Sequence, residues 1–192
     1  MKKQIYIVEH LEKRLWKWCL FEYEQAAKNV GKENIFFTNI KRKSSILEKF
    51  GKCENKSVSK LPLDWSRVCV LDPKAEKLLT PQEASDFDYF VIGGILGEEE
   101  FNWRTSRELS NFIPLAQKRN IGNKQFTIDN AVFVTYEIAS GKNLSEIEMQ
   151  DCAEIEVKEG ETIQLPYTYP LKDSKPMMNS KLITYLKRKK GF

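Results

Sequence analysis

The chain has 192 residues and a mass of 22.4 kDa, which suits one domain with a substantial hydrophobic core. Its 31 Lys and Arg residues slightly outnumber its 27 Asp and Glu residues, giving a formal charge of +4, so the surface tolerates a polyanion without requiring one. The four scattered cysteines and the single histidine argue against a zinc site, a disulfide framework and a His-rich metal site.

No run of residues approaches the roughly 18 apolar residues of a membrane-spanning helix. The first apolar run, at residues 5–8, is also too short for the hydrophobic region of a signal peptide. We therefore expect a cytoplasmic protein without membrane contact.

The first half of the chain alternates predicted strands with helices. A helix is expected at 12–29, where Gly31 supplies a C-cap, and a short helix begins at Pro81 with Thr80 as its N-cap. The Lys- and Ser-rich segment 41–60 is predicted to be an exposed connection with one helical turn. Strands rich in β-branched and aromatic residues are expected at 5–8, 34–38, 67–71 and 89–92.

The second half continues this alternation. The helix expected at 127–140 has the clearest helical periodicity, with Thr127 as a candidate cap and Gly141 at its end. Together the two halves predict an α/β fold with a mostly parallel sheet flanked by helices. The other expected elements are a helix at 103–109, a strand at 115–118, hairpin strands at 153–157 and 162–165, a loop at 166–176 and a helix at 181–190.

A glycine-rich turn follows the predicted buried strand at 89–92. Gly93, Gly94 and Gly97 permit close approach of a ligand to the backbone. Because ligands of open α/β sheets bind beyond the carboxyl ends of the strands, this turn is a pocket candidate. Taken alone, however, the turn favours an ordinary connection from a strand to a helix without a ligand.

Two more loops, at 71–74 and 120–127, are predicted to follow strands of the same sheet. The usual phosphate-binding signatures, G-x-x-x-x-G-K-[ST] and G-x-G-x-x-G after the first strand, are missing from the sequence, which disfavours an ordinary P-loop or Rossmann enzyme. The acidic residues at 98–100 follow the glycine turn directly. They are either a solvated loop or a source of a catalytic carboxylate.

This set of loops resembles the SPOUT methyltransferase superfamily, especially the branch with a yeast ribosomal-protein arginine methyltransferase and archaeal predicted RNA methyltransferases. The resemblance spans nearly everything up to about residue 170. It implies a C-terminal trefoil knot that holds S-adenosylmethionine, within a single domain at 1–170 followed by a basic tail or helix at 171–192. The resemblance is carried, in chain order, by Ile7-Val8-Glu9-His10, Trp18 with Glu22-Tyr23, 68–73, 86–97, Arg104-Thr105 with Glu108-Leu109, and 122–125.

The resemblance also implies the site residues. Glu98 or Glu99 stands where relatives have an Asp after the glycine turn, and these two residues with Arg104 are the expected catalytic residues. No metal is expected. The residues expected to bind S-adenosylmethionine are Leu71, Asp72, Pro73, Gly93, Gly94, Ile95, Leu96, Gly97, Asn120, Ile121, Gly122, Lys124, Gln125, Phe126 and Thr127.

The acceptor is left open between an arginine of a ribosomal protein and a base of tRNA or rRNA. An acidic pocket mouth suits a guanidinium, because a carboxylate pairs with arginine bidentately, whereas the basic runs at 41–43 and 187–190 suit RNA. A knotted RNA- or ribosome-binding module without catalysis is the alternative function. The sequence does not decide between a monomer and a homodimer.

Overall fold

The computed structural model describes residues 3–97 and 103–189. Nine strands and five α-helices are defined within these ranges, joined by loops and short 3-10 turns. The strands are β1 (Ile5–His10), β2 (Ile35–Thr38), β3 (Lys52–Cys53), β4 (Val68–Leu71), β5 (Tyr89–Gly94), β6 (Gln117–Arg119), β7 (Met149–Lys158), β8 (Glu161–Lys172) and β9 (Lys175–Pro176). The helices are α1 (Lys17–Val30), α2 (Pro81–Ala84), α3 (Arg104–Glu108), α4 (Ile128–Ala139) and α5 (Ser180–Lys189).

The first six strands form one parallel sheet in the order β3-β2-β1-β5-β4-β6. Its centre is the pairing of β1 with β5, which runs from Ile5 opposite Tyr89 to His10 opposite Gly94. Because all six strands point the same way, the loops that follow them gather at one edge. The predicted α/β architecture with a mostly parallel sheet is confirmed, whereas the trefoil knot stays a prediction.

The central strands are apolar along their whole length because both faces of the sheet are covered. Alternate residues point to opposite faces, so Val8 and Phe90 pack under α1 and α4, while Ile7 and Val91 pack on the other side against Leu109 and its neighbours. This arrangement explains why the strands read as continuous hydrophobic runs without alternation.

The segment 41–60 is more integrated than predicted. Leu47 and Val58 are fully buried, and β3 adds an edge strand to the sheet. The Val58 amide donates a 2.9 Å hydrogen bond to Oε2 of the buried Glu9. The prediction of an exposed connection was therefore wrong at these positions, because a carboxylate remote in sequence fixes the segment.

The C-terminal strands form a separate antiparallel sheet in the order β7-β8-β9. The loop predicted at 166–176 is instead the second half of β8 and β9. Pro166 is tolerated because it lies opposite an irregularity of β7 between Asp151 and Ala153, the kind of place where a sheet accepts a proline. The domain boundary expected after residue 170 stays a prediction, and that residue lies within β8.

The last helix, α5, packs its apolar face on the hairpin and on α1. Leu182 and Leu186 form a cluster with Leu165 and Tyr169 of β8, and Trp18 of α1 packs against it. Within the described ranges, no helix is long and apolar enough to cross a membrane.

Candidate active site

A cavity lies beyond the carboxyl ends of β4, β5 and β6, where their loops converge. It contains about 810 Å³ of empty space, counting its open mouth. It is lined by Leu71, Asp72, Pro73, Ile92, Gly93, Ile95, Leu96, Gly97, Trp103, Arg104, Thr105, Ile121, Gly122, Lys124, Gln125, Phe126, Ile128 and Ala131.

The three loops predicted to hold a cofactor therefore meet in one wall. Among the residues expected to bind it, Gly94, Asn120 and Thr127 do not line the cavity, whereas all the others do. The wall also includes residues that were not among the expected cofactor-binding or catalytic residues: Ile92, Trp103, Thr105, Ile128 and Ala131. Ile92, Ile128 and Ala131 lie in regular elements, so they look like ordinary core residues in the sequence.

Gly93 and Gly94 face opposite sides of the sheet. A Cβ atom on Gly93 would lie 3.1 Å from Cδ1 of Ile95 and 3.7 Å from Oγ1 of Thr105, both in the cavity wall. A Cβ atom on Gly94 would lie only 2.5 Å from the Tyr23 hydroxyl and 2.8 Å from the Glu9 carbonyl oxygen. The missing side chain of Gly94 thus leaves room for Tyr23 of α1, and the missing side chain of Gly93 leaves room on the cavity side.

Asn120 shapes the third loop instead of lining the cavity. Its side-chain amide donates to the carbonyl oxygen of Ala75 at 2.8 Å, and its Oδ1 accepts from the Gly122 amide at 2.9 Å. Gly122 itself has φ +99°, a conformation that glycine adopts without strain. Asn120 therefore fixes the turn that brings Gly122 into the wall.

The expected side-chain cap of α4 by Thr127 is not formed. Thr127 occupies the N-cap position without a capping hydrogen bond, and the first helical amide, Ile128 N, donates to Oε2 of Glu22 at 2.9 Å. Glu22 also accepts from Nε1 of Trp18 at 2.5 Å. The Glu22 carboxylate of α1 takes the place of a local cap, because tertiary packing buries this carboxylate at the start of α4.

Glu22 lies beside a second buried acid, Asp129. Burial raises the pKa of both carboxyl groups, and the charge of Asp129 raises the pKa of Glu22 further. The favourable hydrogen bonds from Ile128 and Trp18 offset only part of this effect. The start of α4, where Ile128 lines the cavity, thus lies beside a pair of acids that retain protons more strongly than exposed carboxyl groups.

Arg104 is held in the cavity wall by two carboxylates. Its NH1 donates to Oε1 of Glu12 at 2.9 Å, while Nε and NH2 donate to the two oxygens of Glu108 at 3.1 Å each. The hydrogen bonds that Arg104 donates to Glu108 lower the pKa of Glu108 and raise the pKa of Arg104. Arg104 and Glu108 therefore stay charged at neutral pH.

Glu12 is a site residue that the sequence did not reveal. Besides Arg104, the same Oε1 atom accepts a 3.1 Å hydrogen bond from the backbone amide of Leu96, in the glycine turn. It therefore ties the loop after β1 to the turn after β5 and to α3. Its predicted place inside a helix concealed this role, because α1 actually begins at Lys17.

The expected catalytic residues Glu98 and Glu99 lie outside the described residues. Arg104, the third, lines the cavity, and its catalytic role stays a prediction. Trp103 precedes it at φ +57°, and the Lys74 ammonium lies 5.2 Å from the centre of its ring. Inside the described ranges, no group of three or more His, Cys, Asp or Glu side chains is arranged to hold a metal ion.

Nearly the whole chain, including the residues of the cavity wall, is similar to known proteins. The sequence model of the family described as "SFM1-like: Protein arginine N-methyltransferase SFM1-like" matches residues 5–191. The chain belongs to this family. Protein arginine N-methyltransferase SFM1 of Saccharomyces cerevisiae is 30% identical, over 95% of this chain and 94% of the yeast enzyme.

Solved structures agree with this assignment. The crystal structure of yeast SFM1 in complex with SAM (S-adenosylmethionine) has a TM-score of 0.89 and 31% identity, covering 98% of this chain and 92% of that one. Trm10 from Thermococcus kodakaraensis has a TM-score of 0.54 and 17% identity, covering 74% of this chain and 96% of that one. The Trm10 similarity concerns the fold alone, and it supports the SPOUT architecture.

In this SFM1-like protein, the C-terminal hairpin contacts two loops of the cavity from outside. The Tyr167 hydroxyl donates to the carbonyl oxygen of Gly97 at 3.1 Å, and the Thr168 amide donates to the carbonyl oxygen of Gln125 at 2.8 Å. An ion pair of 2.7 Å joins Lys124 to Asp151 of β7. The hairpin therefore holds two cavity loops together, although it contributes no lining residue.

The residues of the cavity wall suit S-adenosylmethionine. Aliphatic and aromatic side chains line the cavity together with the glycine-containing loops, which suits an adenosine with a polar amino-acid tail. Gly97 is tightly enclosed, since a Cβ atom there would lie 2.3 Å from Nε2 of Gln125. A larger residue at this position would push apart two loops of the wall.

Proposed function

We propose that this protein is an S-adenosylmethionine-dependent methyltransferase that modifies an arginine of a ribosomal protein, and that it acts in the cytoplasm. The observation that carries the proposal is the three-loop cavity at the carboxyl edge of a parallel sheet, in a chain that matches the SFM1-like family from residue 5 to residue 191. Yeast SFM1 is a protein arginine N-methyltransferase, and its crystal structure with SAM supports the choice of cofactor.

When bound, S-adenosylmethionine supplies a methyl group on a positively charged sulfur, which an acceptor nitrogen attacks. The chain's own contribution is to hold donor and acceptor in line, which is a large part of the catalysis of such transfers. Backbone groups of the loops at 93–97 and 120–126 would pair with the polar atoms of the cofactor. Its apolar surfaces would contact Leu71, Ile92, Leu96, Phe126 and Ala131, all in the wall.

The acceptor guanidinium is a cation that must lose a proton before or during the transfer. A carboxylate at the cavity mouth would hold it by charge-assisted hydrogen bonds and accept this proton. We assign this role to Glu98 or Glu99, because they directly follow Gly97 of the wall and consecutive Cα atoms are only about 3.8 Å apart.

We assign Arg104 a positioning role in the same reaction. Its guanidinium is occupied by Glu12 and Glu108, so it orders the wall on the side of α3. Replacement by Lys would keep the charge but lose the bidentate pairing with Glu108. We expect Arg104→Lys to lower turnover and to weaken cofactor binding together, since Glu12 also holds the Leu96 amide.

The proposal is tested by incubating the protein with tritiated S-adenosylmethionine and ribosomal extract, followed by separate digestion with RNase and protease. Label that resists RNase and is released by protease supports a protein acceptor. Label released by RNase would identify an RNA base as the acceptor instead. Failure to bind S-adenosylmethionine in calorimetry would leave a non-catalytic RNA- or ribosome-binding module.

The catalytic assignment is tested by Glu98→Gln combined with Glu99→Gln. We expect methyl transfer to fall by about 100-fold, as for loss of a positioned acid or base, with S-adenosylhomocysteine affinity within a few-fold of wild type. Glu156→Gln combined with Glu159→Gln is the control, because it removes the same charge from exposed positions of the hairpin. Unchanged transfer in the first variant would remove these glutamates from the mechanism.

A further inference from the structure

A second concave surface lies away from the active-site cavity, between the end of α1 and the β8–β9 turn. We call it the lysine groove. It contains about 800 Å³ of empty space, counting its open side. It is lined by Gln25, Lys28, Asn29, Lys172, Asp173, Lys175, Pro176, Met177 and Met178.

Two lysines of this groove are held directly opposite each other. Lys172 of β8 pairs with Lys175 of β9 across an antiparallel ladder, and both side chains are exposed. Like charges at directly opposed positions destabilise a hairpin. In the part of the chain that the structure describes, neither lysine has an ion-pair partner within 4.0 Å.

The turn between these lysines keeps them together. Asp173 and Ser174 have φ angles of +51° and +57°, the combination of a tight two-residue hairpin turn that usually contains glycine. The ladder on one side and the turn on the other leave the two lysine backbones no freedom to separate. The hairpin therefore keeps two positive charges opposite each other, although substitution of either lysine would remove the electrostatic repulsion.

More cations continue the same surface. Lys28 and Lys181 lie on either side of Glu24, with their Nζ atoms 3.2 Å and 2.7 Å from its Oε1. Both lysine side chains are 58% exposed, so they are accessible to a ligand. Arg188 lies seven residues beyond Lys181 on the same face of α5. The one carboxylate of Glu24 neutralises only one of the two lysines beside it.

We propose that the lysine groove binds the phosphate backbone of structured RNA. The phosphates of RNA form a row of negative charges that pairs with the row of cations on this surface and removes the repulsion between Lys172 and Lys175. A single small anion would compensate these charges only locally. Among the described residues that line the groove, none is aromatic, so they offer no platform on which single-stranded bases stack. It therefore fits contact with phosphates, which positions a protein on RNA without reading the sequence.

The choice of RNA over DNA rests on the proposed ribosomal acceptor. The groove is joined to the active site through α4, since the Asn29 amide group donates to the carbonyl oxygen of Asp129 at 3.2 Å, next to Ile128 of the cavity wall. An enzyme docked in this way would hold its cavity at a fixed distance from the RNA. The groove thus provides a docking surface separate from the methyl-transfer site.

The test measures binding of a fluorescently labelled RNA hairpin by anisotropy, without S-adenosylmethionine or protein acceptor. We expect Lys172→Gln combined with Lys175→Gln to weaken binding by about tenfold and to reduce the salt slope by about 1 to 2, between roughly 50 and 200 mM salt. Lys142→Gln combined with Lys158→Gln is the matched control, because these exposed lysines are paired with Glu137 and Glu161 elsewhere. It should bind like wild type.

A single change separates the binding role from a structural one. Lys175→Glu places opposite charges across the ladder, so it should raise the melting temperature slightly while weakening RNA binding more than Lys175→Gln does. Equal RNA affinity in wild type and in the double glutamine variant would overturn the proposal, as would preferential binding of polyglutamate over RNA. Because this assay involves no methyl transfer, its outcome is independent of whether the proposed enzymatic function holds.

Discussion

The parallel sheet and the C-terminal hairpin bury their residues in different ways. All four residues of β4 are buried, whereas β7 alternates buried and exposed positions over much of its length. The sheet has a hydrophobic cluster on each face, and the hairpin has one cluster shared with α1 and α5. The sheet thus buries both of its faces, while the hairpin depends on α1 and α5 to stay in place beside the cavity loops that it holds.

Because the sheet is packed on both faces, it should tolerate a larger side chain less well than the hairpin does. Gly94→Val is the variant with the largest expected loss of stability. A side chain there would overlap the Tyr23 hydroxyl and the Glu9 carbonyl oxygen, so we expect a loss of about 3 kcal/mol in the free energy of unfolding. Denaturation in urea measures the effect.

Gly93→Ala is the control in the same strand. Its Cβ would meet the flexible end of Ile95, so the cost in stability should stay below about 1 kcal/mol, while S-adenosylhomocysteine binds several-fold more weakly. Similar stability of Gly94→Val and wild type would contradict the two orientations described for these glycines.

In the hairpin, Leu186→Ala should separate the stability of the two regions. Leu186 is 2% exposed and packs in the cluster under β7 and β8, so truncation should cost about 2 to 3 kcal/mol. We expect hydrogen exchange to accelerate in the amides of β7 and β8 before those of β4 and β5, because local opening follows the weakened cluster. Uniform acceleration across both sheets would show that they unfold as one unit.

The buried acids lie where the two regions meet, since Tyr169 of β8 has its pKa raised by burial and further by Glu22 and Asp129. A carboxyl group with a raised pKa in the folded state favours folding most at acidic pH, and this advantage is lost as the pH rises above the usual value near 4. Burial raises the pKa of Asp129 to about 6, so we expect Asp129→Asn to flatten the decline in stability between about pH 4 and pH 6, by on the order of 1 to 2 kcal/mol.

Denaturation curves at about pH 4 and about pH 7, on either side of this window, check the sign. Asp151→Asn is the contrasting variant, because hydrogen bonding from Lys124 lowers the pKa of the exposed Asp151. The small contribution of Asp151 to the free energy of unfolding is present at neutral pH and lost on acidification. Asp151→Asn should therefore flatten the decline in stability toward acidic pH. An Asp129→Asn variant with the pH profile of wild type would show that Glu22 alone bears the cost of burial.

The smallest expected effect is that of Tyr167→Phe. The change removes the hydrogen bond to the Gly97 carbonyl oxygen but keeps the ring against the glycine turn. We expect S-adenosylhomocysteine affinity in calorimetry to fall by about two- to fivefold, as for the loss of one partly exposed hydrogen bond, with nearly unchanged melting temperature. A large loss of stability would instead make Tyr167 part of the structural core.

The sequence predicted much of the first region because its signals are local. Continuous apolar strands such as β4 and β5 and the glycine turn after β5 can be recognised without knowing their neighbours. The hairpin was predicted only in part, because Pro166 ordinarily ends a strand. It continues here since β7 has an irregularity opposite that proline, which no residue near Pro166 announces.

For the candidate site, the sequence by itself determined which loops gather, because parallel strands place their carboxyl ends at one edge. Only the tertiary structure decided which side chains complete the wall. Glu12 reaches Leu96 and Arg104 from more than eighty residues away, and Glu22 replaces Thr127 at the start of α4. Gly93 and Gly94 are identical in sequence terms, yet one faces the cavity and the other faces α1. These assignments depend on distances between remote segments, which local sequence patterns do not encode.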